Sequence, residues 1–356
     1  MSSMMGNKIR VSLFGQSHGE KIGAVLDGLP AGEIIDEEAL CRFLARRTPN
    51  EEGTTARRER DIPRIVSGLV DGHTCGAPLC VLLDNGDVRR GDYTSLLDTP
   101  RPGHADYPAY VKYAGQNDAS GGGHFSGRLT AAMCAAGGIL LQLYARRGIE
   151  IAGHIYSIGG VQDEAFDPLS IPHETIDRLK KSPMPLLDPL KKQEIEAEIA
   201  LAMRQGDSLG GIVECACIGL PVGLGDGIFG GLDSKIAQTV FAVPAVKGVE
   251  FGEGFRASHL MGSENNDPYA MLDGQITLLS NHAGGILGGM STSAPLIFRA
   301  AFKPTPSIAI MQRTVSLKTH QDRVLAIQGR HDTCIVLRAV PCVEAACALA
   351  LADDIL

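Results

Sequence analysis

Tryptophan is absent from the 356-residue sequence, and aromatic residues make up only 5% of it. A chain so poor in aromatics offers no stacking platform for single-stranded nucleic acid. Positive charge is in the minority: 33 Lys and Arg face 41 Asp and Glu, leaving −8 at pH 7. General polyanion binders carry the opposite balance, so nucleic acid is not an expected partner. Any anion site must be built from locally clustered arginines. No CxxC pair occurs among the nine scattered cysteines, and the opening MSSMMGNKIR lacks an apolar secretory stretch. Both features read as reduced thiols in a cytoplasmic protein. Long apolar runs are missing as well. Leu129–Ala145 comes nearest, but it contains Thr130, Gly137, Gly138 and Gln142 and ends in arginines. It reads as a buried helix, and no membrane is expected. HExxH, GxxxxGK[ST] and a βαβ unit opening with GxGxxG are absent, so no metal, P-loop or Rossmann fold is expected. No repeat or linker divides the chain, which reads as one domain over 1–356.

Glycine is abundant: 43 residues, about 12% against a usual share of about 7%. Lys8–Phe14 alternates as a strand, and Gly23–Leu29 reads as its neighbour. Asp36 is the N-cap expected for a helix that runs through Ala39, Leu40, Phe43 and Leu44 to Arg46 and Arg47. Ser126–Arg147 is apolar nearly all round, so it belongs at the centre of a core. Asp188-Pro189 is expected to start a helix that Gly206 closes. Another starts near Asp233, and the last runs from Pro341 to Leu351. Strand-like runs cover Gly76–Leu83, Gly210–Gly219, Gly248–Phe251, Gln275–Leu279, Pro295–Phe302 and Thr314–Leu317. The interleaving predicts an α+β fold with helices packed between mainly antiparallel sheets.

Four segments carry chemistry. Arg46–Arg60 holds five arginines in fifteen residues, with Arg64 beyond; arginine forks suit carboxylate and phosphate. A solvated loop balanced by Glu51, Glu52, Glu59 and Asp61 is the plainer alternative. Gly121-Gly122-Gly123-His124-Phe125-Ser126-Gly127-Arg128 runs three glycines into the N-terminus of the apolar helix, where anions bind. Ser126 would also serve there as a simple N-cap. Histidines sit in glycine-flanked loops at His18, His104 and His331; His18 and His104 are candidate acids or bases. The fourth segment pairs Asn281-His282 and Gly288-Gly289 with Lys303-Pro304-Thr305-Pro306-Ser307, suggesting backbone packed against a flat or phosphorylated ligand.

Taken in order, Gly15-Gln-Ser-His-Gly, the Arg47…Thr54-Thr55…Arg57-Arg58 loop, Arg101-Pro-Gly-His-Ala-Asp, Gly121–Arg128, Asn281-His-Ala-Gly-Gly-Ile, Lys303-Pro-Thr and Gly329-Arg-His-Asp resemble chorismate synthase. The resemblance spans residue 8 to about 350. It implies a β-α-β sandwich, a homotetramer, and 1,4-anti elimination of phosphate from 5-enolpyruvylshikimate 3-phosphate. That reaction is the last step of the shikimate pathway, and it depends on reduced FMN without net redox change. By the same resemblance His18 protonates the departing phosphate and His104 stands beside the flavin. Asp332 helps take up the proton lost from the substrate ring, and Ser17 and Ser126 support the relay. FMN contacts map to His124, Phe125, Ser126, Ala245, Gly288, Lys303, Pro304, Thr305, Pro306, Ser307 and Arg330. Arg47, Arg57, Arg58 and Arg128 map to substrate, and Arg47 also to a position linked to NADP, with NADPH an indirect electron source.

The chain departs from the family pattern at Gln16, at His124-Phe125 (where Arg-Ser is common), at Thr333 and at Glu52-Gly53. None of these changes touches His18, His104 or Asp332. An NADPH-dependent flavin reductase and a polyanion-binding module are the competing readings.

Overall fold

The computed structural model describes residues 3–48, 53–54, 60–86, 98–118, 120–327 and 332–356. Two five-stranded sheets enclose a layer of helices. The first sheet orders its strands Met4–Met5, Arg10–Gly15, Lys21–Asp27, Leu79–Asp84 and Arg64–Ser67. The second orders Val246–Phe251, Leu296–Phe302, Gly211–Ile218, Glu150–Ile158 and Val161–Gln162. Every neighbouring pair in both sheets is antiparallel. The expected α+β sandwich is therefore the one observed. In the first sheet Ile22, Ala24, Leu26, Leu79, Val81 and Leu83 alternate inward and are buried, the period-2 pattern of a sheet with one covered face.

Two helices fill the middle. Thr130–Ala145 lies against the first sheet, and Val336–Ala350 lies against Glu150–Ile158 and Gly211–Ile218 of the second. Gly127–Ala145 is long and apolar enough to cross a membrane, but 78% of it is buried inside the protein. The two helices touch where side chains are smallest. A Cβ on Gly137 would stand 2.5 Å from Ala345 Cα, and one on Gly138 would stand 2.8 Å from Leu40 and Phe43. The paired glycines thus admit one helix on each side. Asp36 caps Glu37–Ala45 as expected, its carboxylate accepting from Ala39 N.

Three sequence expectations need correction. The strand Glu150–Ile158 was not anticipated; its residues are buried on both faces, so no alternation marks it. Its outer face lies under Phe166, Ile171, Ile176 and Leu179. There His154 Nε2 sits 2.9 Å from Glu214, which also accepts from Arg299. The final helix begins at Val336, not Pro341. A proline inside a helix costs about 3 kcal/mol, but nearly every residue of this one is buried, and packing outweighs the lost bond. Asp188 does not cap a helix directly. It accepts from Leu190 N in a preceding turn, and the helix runs Lys191–Gln205, with Gly206 left-handed at its end.

Alanine is a better helix former than glycine, yet Gly137→Ala is expected to destabilise the protein. The added methyl meets backbone rather than a movable side chain. Overpacking of this kind costs about 1–3 kcal/mol, measurable as a lower midpoint in urea unfolding.

Candidate active site

A cavity of about 770 Å³ opens at the N-terminal ends of the two central helices. Leu129, Thr130 and Met133 line it from one side, and Ile335, Arg338, Ala339 and Cys342 from the other. The positive ends of two helix dipoles favour anions there.

The triple glycine is shaped by the histidines behind it. Gly121, Gly122 and Gly123 take φ of +62°, +100° and +56°, a region that L side chains avoid. A Cβ on Gly121 would stand 2.4 Å from His18 Cε1, and one on Gly122 would stand 3.3 Å from His104 Cε1. The loop therefore lies directly on both imidazoles. Ser17 N donates to Gly123 O at 3.0 Å, joining the two glycine loops. Ser17 lines the cavity, while His18 is 3% exposed and stands behind it, Nδ1 3.0 Å from Ser17 Oγ. Gly15–Gly19 also has the GxSxG letters of a hydrolase nucleophile elbow. It joins two antiparallel strands rather than a strand and a helix, which is the wrong context for one.

His104 lines the cavity with its Nδ1 2.6 Å from Asp106 Oδ1. Arg101 donates to both oxygens of that carboxylate, at 2.7 and 2.8 Å, and its Nη2 lies 3.2 Å from His104 Nδ1. The shorter contact to Asp106 places the proton on Nδ1 and leaves Nε2 for the cavity. Burial pushes the Asp106 carboxyl up, but bonds from Arg101 and His104 more than offset it and hold it far below the usual range. Asp332, also on the wall, is 3.2 and 3.3 Å from Arg338 Nη1.

Asp61 is the main correction to the arginine-loop reading. It is not a surface counter-charge but a buried bridge. Arg47 donates to Oδ2 at 2.7 and 3.2 Å, and Arg128 donates to Oδ1. Arg128 also reaches Asn85 Oδ1 at 2.8 Å. Burial raises the Asp61 carboxyl, but the charges of Arg47 and then Arg128 outweigh it and lower it. Two guanidiniums and one carboxylate leave one net positive charge on the cavity floor.

His124, Phe125, Ser126, Ala245, Lys303, Thr305, Pro306 and Ser307 line the same cavity. Ser126 is also the cap foreseen as its plainer role, Oγ accepting from Arg128 N. Pro304 and Gly288 do not line it; Gly288 sits in the turn between Ile286–Leu287 and Met290–Ser291. Arg57, Arg58 and Arg330 lie outside the described residues. Sequence reasoning missed Asp61, Asp106, Tyr113 and Arg338. Asp106 alone left a signal, a carboxylate two residues after a glycine-flanked histidine.

The family model described as chorismate synthase matches residues 9–356. The chain belongs to the chorismate synthase family. Chorismate synthases of Lancefieldella parvula and Korarchaeum cryptofilum are each 44% identical to it, over 100% and 99% of this chain and 96% and 97% of their own lengths. That of Thermococcus kodakarensis is 44% identical over 99% of this chain and 97% of its own. A crystal structure of chorismate synthase superposes with a TM-score of 0.78 at 28% identity, covering 98% of this chain and 91% of that one. The family is one of lyases, and four of the five residues that the resemblance assigns to the chemistry, Ser17, His104, Ser126 and Asp332, line the cavity.

Asp61→Asn would leave two buried arginines uncompensated. Breaking such a pair costs about 3–5 kcal/mol, to be read in urea unfolding at pH 7. Because the folded carboxyl is lowered, its contribution is present above the unfolded value of about 3.9 and fades as pH falls through the folded one. The variant is therefore expected to lose part of the wild-type stability gain seen on raising pH from acid to neutral.

Proposed function

We propose that the protein is a chorismate synthase in activity as well as descent. It would convert 5-enolpyruvylshikimate 3-phosphate to chorismate and phosphate by 1,4-anti elimination, dependent on reduced FMN. The observation that carries this reading is the convergence of Ser17–His18, His104–Asp106 and Asp332–Arg338 on one cationic cavity.

The residues fit a flavin phosphate together with an anionic substrate. Thr305 Oγ1 is buried with no hydrogen-bond partner among the described residues, and it lies on the cavity wall. Among the described residues Lys303 Nζ reaches only the carbonyls of Gly103 and Pro304, and burial and then the charge of Lys247 lower its pKa. A phosphate would satisfy the hydroxyl and offset both lysines. His124 and Phe125, with ring centroids 4.0 Å apart, offer an aromatic edge. A volume of about 770 Å³ lies within the roughly 300–1,000 Å³ of ligand pockets. Reduced FMN, when bound, supplies electron density to the bond that breaks.

The chain's own groups handle charge and protons. Arg47 and Arg128, fixed by Asp61, orient the substrate's anionic groups, with Arg57 and Arg58 assigned to the same work by resemblance and Arg330 to the flavin. His18 delivers a proton to the departing phosphate through Ser17, since the serine and not the imidazole faces the cavity. Asp332, held in place by Arg338, accepts the proton lost from the ring. Asp106 fixes the imidazole of His104 so that Nε2 addresses the ligand. Arg47 is buried against Asp61, which favours substrate over NADP as its partner.

The whole chain is read as one functional domain, since one core cluster contains both sheets and the helices between them. Cytoplasmic location agrees with nine free cysteines. A homotetramer is supported by the hairpin Tyr269–Leu272/Gln275–Leu278, where Met271 and Ile276 are 65% and 66% exposed. A two-stranded hairpin of this kind needs a covering surface.

Phosphate release from 5-enolpyruvylshikimate 3-phosphate, assayed anaerobically, is expected with reduced FMN and not with oxidised FMN. His18→Ala and His104→Ala should each lower turnover by about 10²–10⁴-fold. Turnover within a few-fold of wild type in both would overturn the roles. Ile276→Asp is expected to move the sedimentation coefficient to a smaller species. A wild-type monomer at micromolar concentration would overturn the assembly.

A further inference from the structure

Cys134 and Cys342 face each other across the two central helices, their sulfurs 3.8 Å apart. Three residues further along both helices, Gly137 and Ala345 bring the backbones into contact. A crossing this tight keeps both thiols in register and close. Cys134 is wholly buried, whereas Cys342 lines the cavity. A small molecule entering the cavity therefore meets Cys342 and not Cys134. Cys215 and Cys217 are also buried, but neither lines the cavity.

We propose that Cys134 and Cys342 are a modification site: an oxidisable thiol pair that a peroxide, entering through the cavity, closes to a disulfide between the central helices. The Cys342 thiolate attacks one peroxide oxygen and the O–O bond breaks. The sulfur is oxidised to a sulfenic acid, and the other oxygen leaves as hydroxide, protonated to water. Cys134 sulfur then attacks the Cys342 sulfur and the S–O bond breaks. A second water leaves with the Cys134 proton. Two thiols and one hydrogen peroxide thus give one disulfide and two waters, and a small dithiol reverses the closure by exchange.

The surroundings set the order of attack. The Cys134 thiol bonds to Cys342 and, with Arg47, Thr130 and Arg338, lowers the Cys342 thiol despite its burial. Cys134 itself is pushed well up, first by burial. Burial also pushes Cys215 and Cys217 well up. The lower, cavity-facing thiol is the attacking one and its partner the resolving one. Closure draws the sulfurs from 3.8 Å to about 2.05 Å. Closure also removes the titratable Cys342 thiol from beside Arg47 and Arg338. Loss of turnover on closure rests on the proposed function, but formation of the bond does not.

The test is peptide mapping of the full chain after anaerobic treatment with one equivalent of hydrogen peroxide and alkylation of the remaining thiols. The expected product is a Cys134–Cys342 cross-linked peptide, two hydrogens lighter, that a dithiol removes, with Cys215 and Cys217 still reduced. In Cys134→Ser the cross-link should be lost and a sulfenic acid trapped at Cys342 by a cyclic diketone. A wild-type map in which the peroxide is consumed at exposed Cys75 while Cys134 and Cys342 both remain alkylatable overturns the proposal. So does a cross-link of Cys342 to any other cysteine. Because the wild-type map decides alone, a variant that fails to fold leaves the test intact. A cross-link that forms in protein lacking phosphate release would reject the proposed function and keep the thiol pair.

Discussion

The contact between Gly137 and Ala345 is the constraint from which much of the architecture follows. It lets two helices lie backbone to backbone inside a layer bounded by two sheets. Any side chain at that point would push the helices apart. With Cys134 beside Cys342 and Gly137 beside Ala345, the two run in the same direction at the crossing. Their N-termini therefore open together on one cavity, instead of one facing each end of the sandwich. Two positive dipole ends converge because Gly137 has no Cβ at the crossing.

Convergence of positive charge creates its own problem, which Asp61 addresses. Uncompensated positive charge in an interior is costly because each guanidinium must be taken out of water. Arg47 and Arg128 are each only a few per cent exposed, and they share one carboxylate. The arrangement keeps both guanidiniums oriented and desolvated while leaving one charge for a ligand. Desolvated, fixed charge interacts more strongly with an anion than mobile surface arginines would. Arg101–Asp106 and Arg338–Asp332 repeat the device at the wall, each carboxylate positioned by a guanidinium from nearby in sequence.

Much of this was legible in the residues, and the exceptions have physical causes. The triple glycine was readable because its function is steric: close approach to His18 and His104 demands residues without Cβ. The apolar helix after it was readable because burial on all sides removes the polar stripe. Burial on both faces had the opposite effect on Glu150–Ile158, where it removed the alternation that marks a strand. Pro341 suggested a boundary because local propensity says a helix begins or ends there, yet packing along Val336–Ala350 decides otherwise. Asp61 looked like a surface counter-charge because its partners are 14 and 67 residues away. Long-range ion pairs leave no periodic trace, so the site's arginines could be named from the sequence but not the carboxylate that aims two of them.

His124 and Phe125 show how a departure from a family pattern can be absorbed. A permanent charge is exchanged there for two tilted rings in contact, with Tyr113 edge-on to His124 at a centroid distance of 5.6 Å. Tyr113 Oη lies 3.4 Å from His124 Nε2, so the imidazole is held in orientation as well as packed. The cavity does not lose its positive character by this exchange. Lys303, Lys247 and Arg338 remain on its wall, and both helix ends still point inward. What changes is the kind of interaction offered at the lip: less Coulombic attraction for a phosphate and more dispersion for a flat ring. Under the proposed function, with a planar cofactor beside an anionic substrate, such a site would shift weight between those contributions without moving its acids and bases. The His18 and His104 rings stay fixed by glycines that the exchange leaves alone.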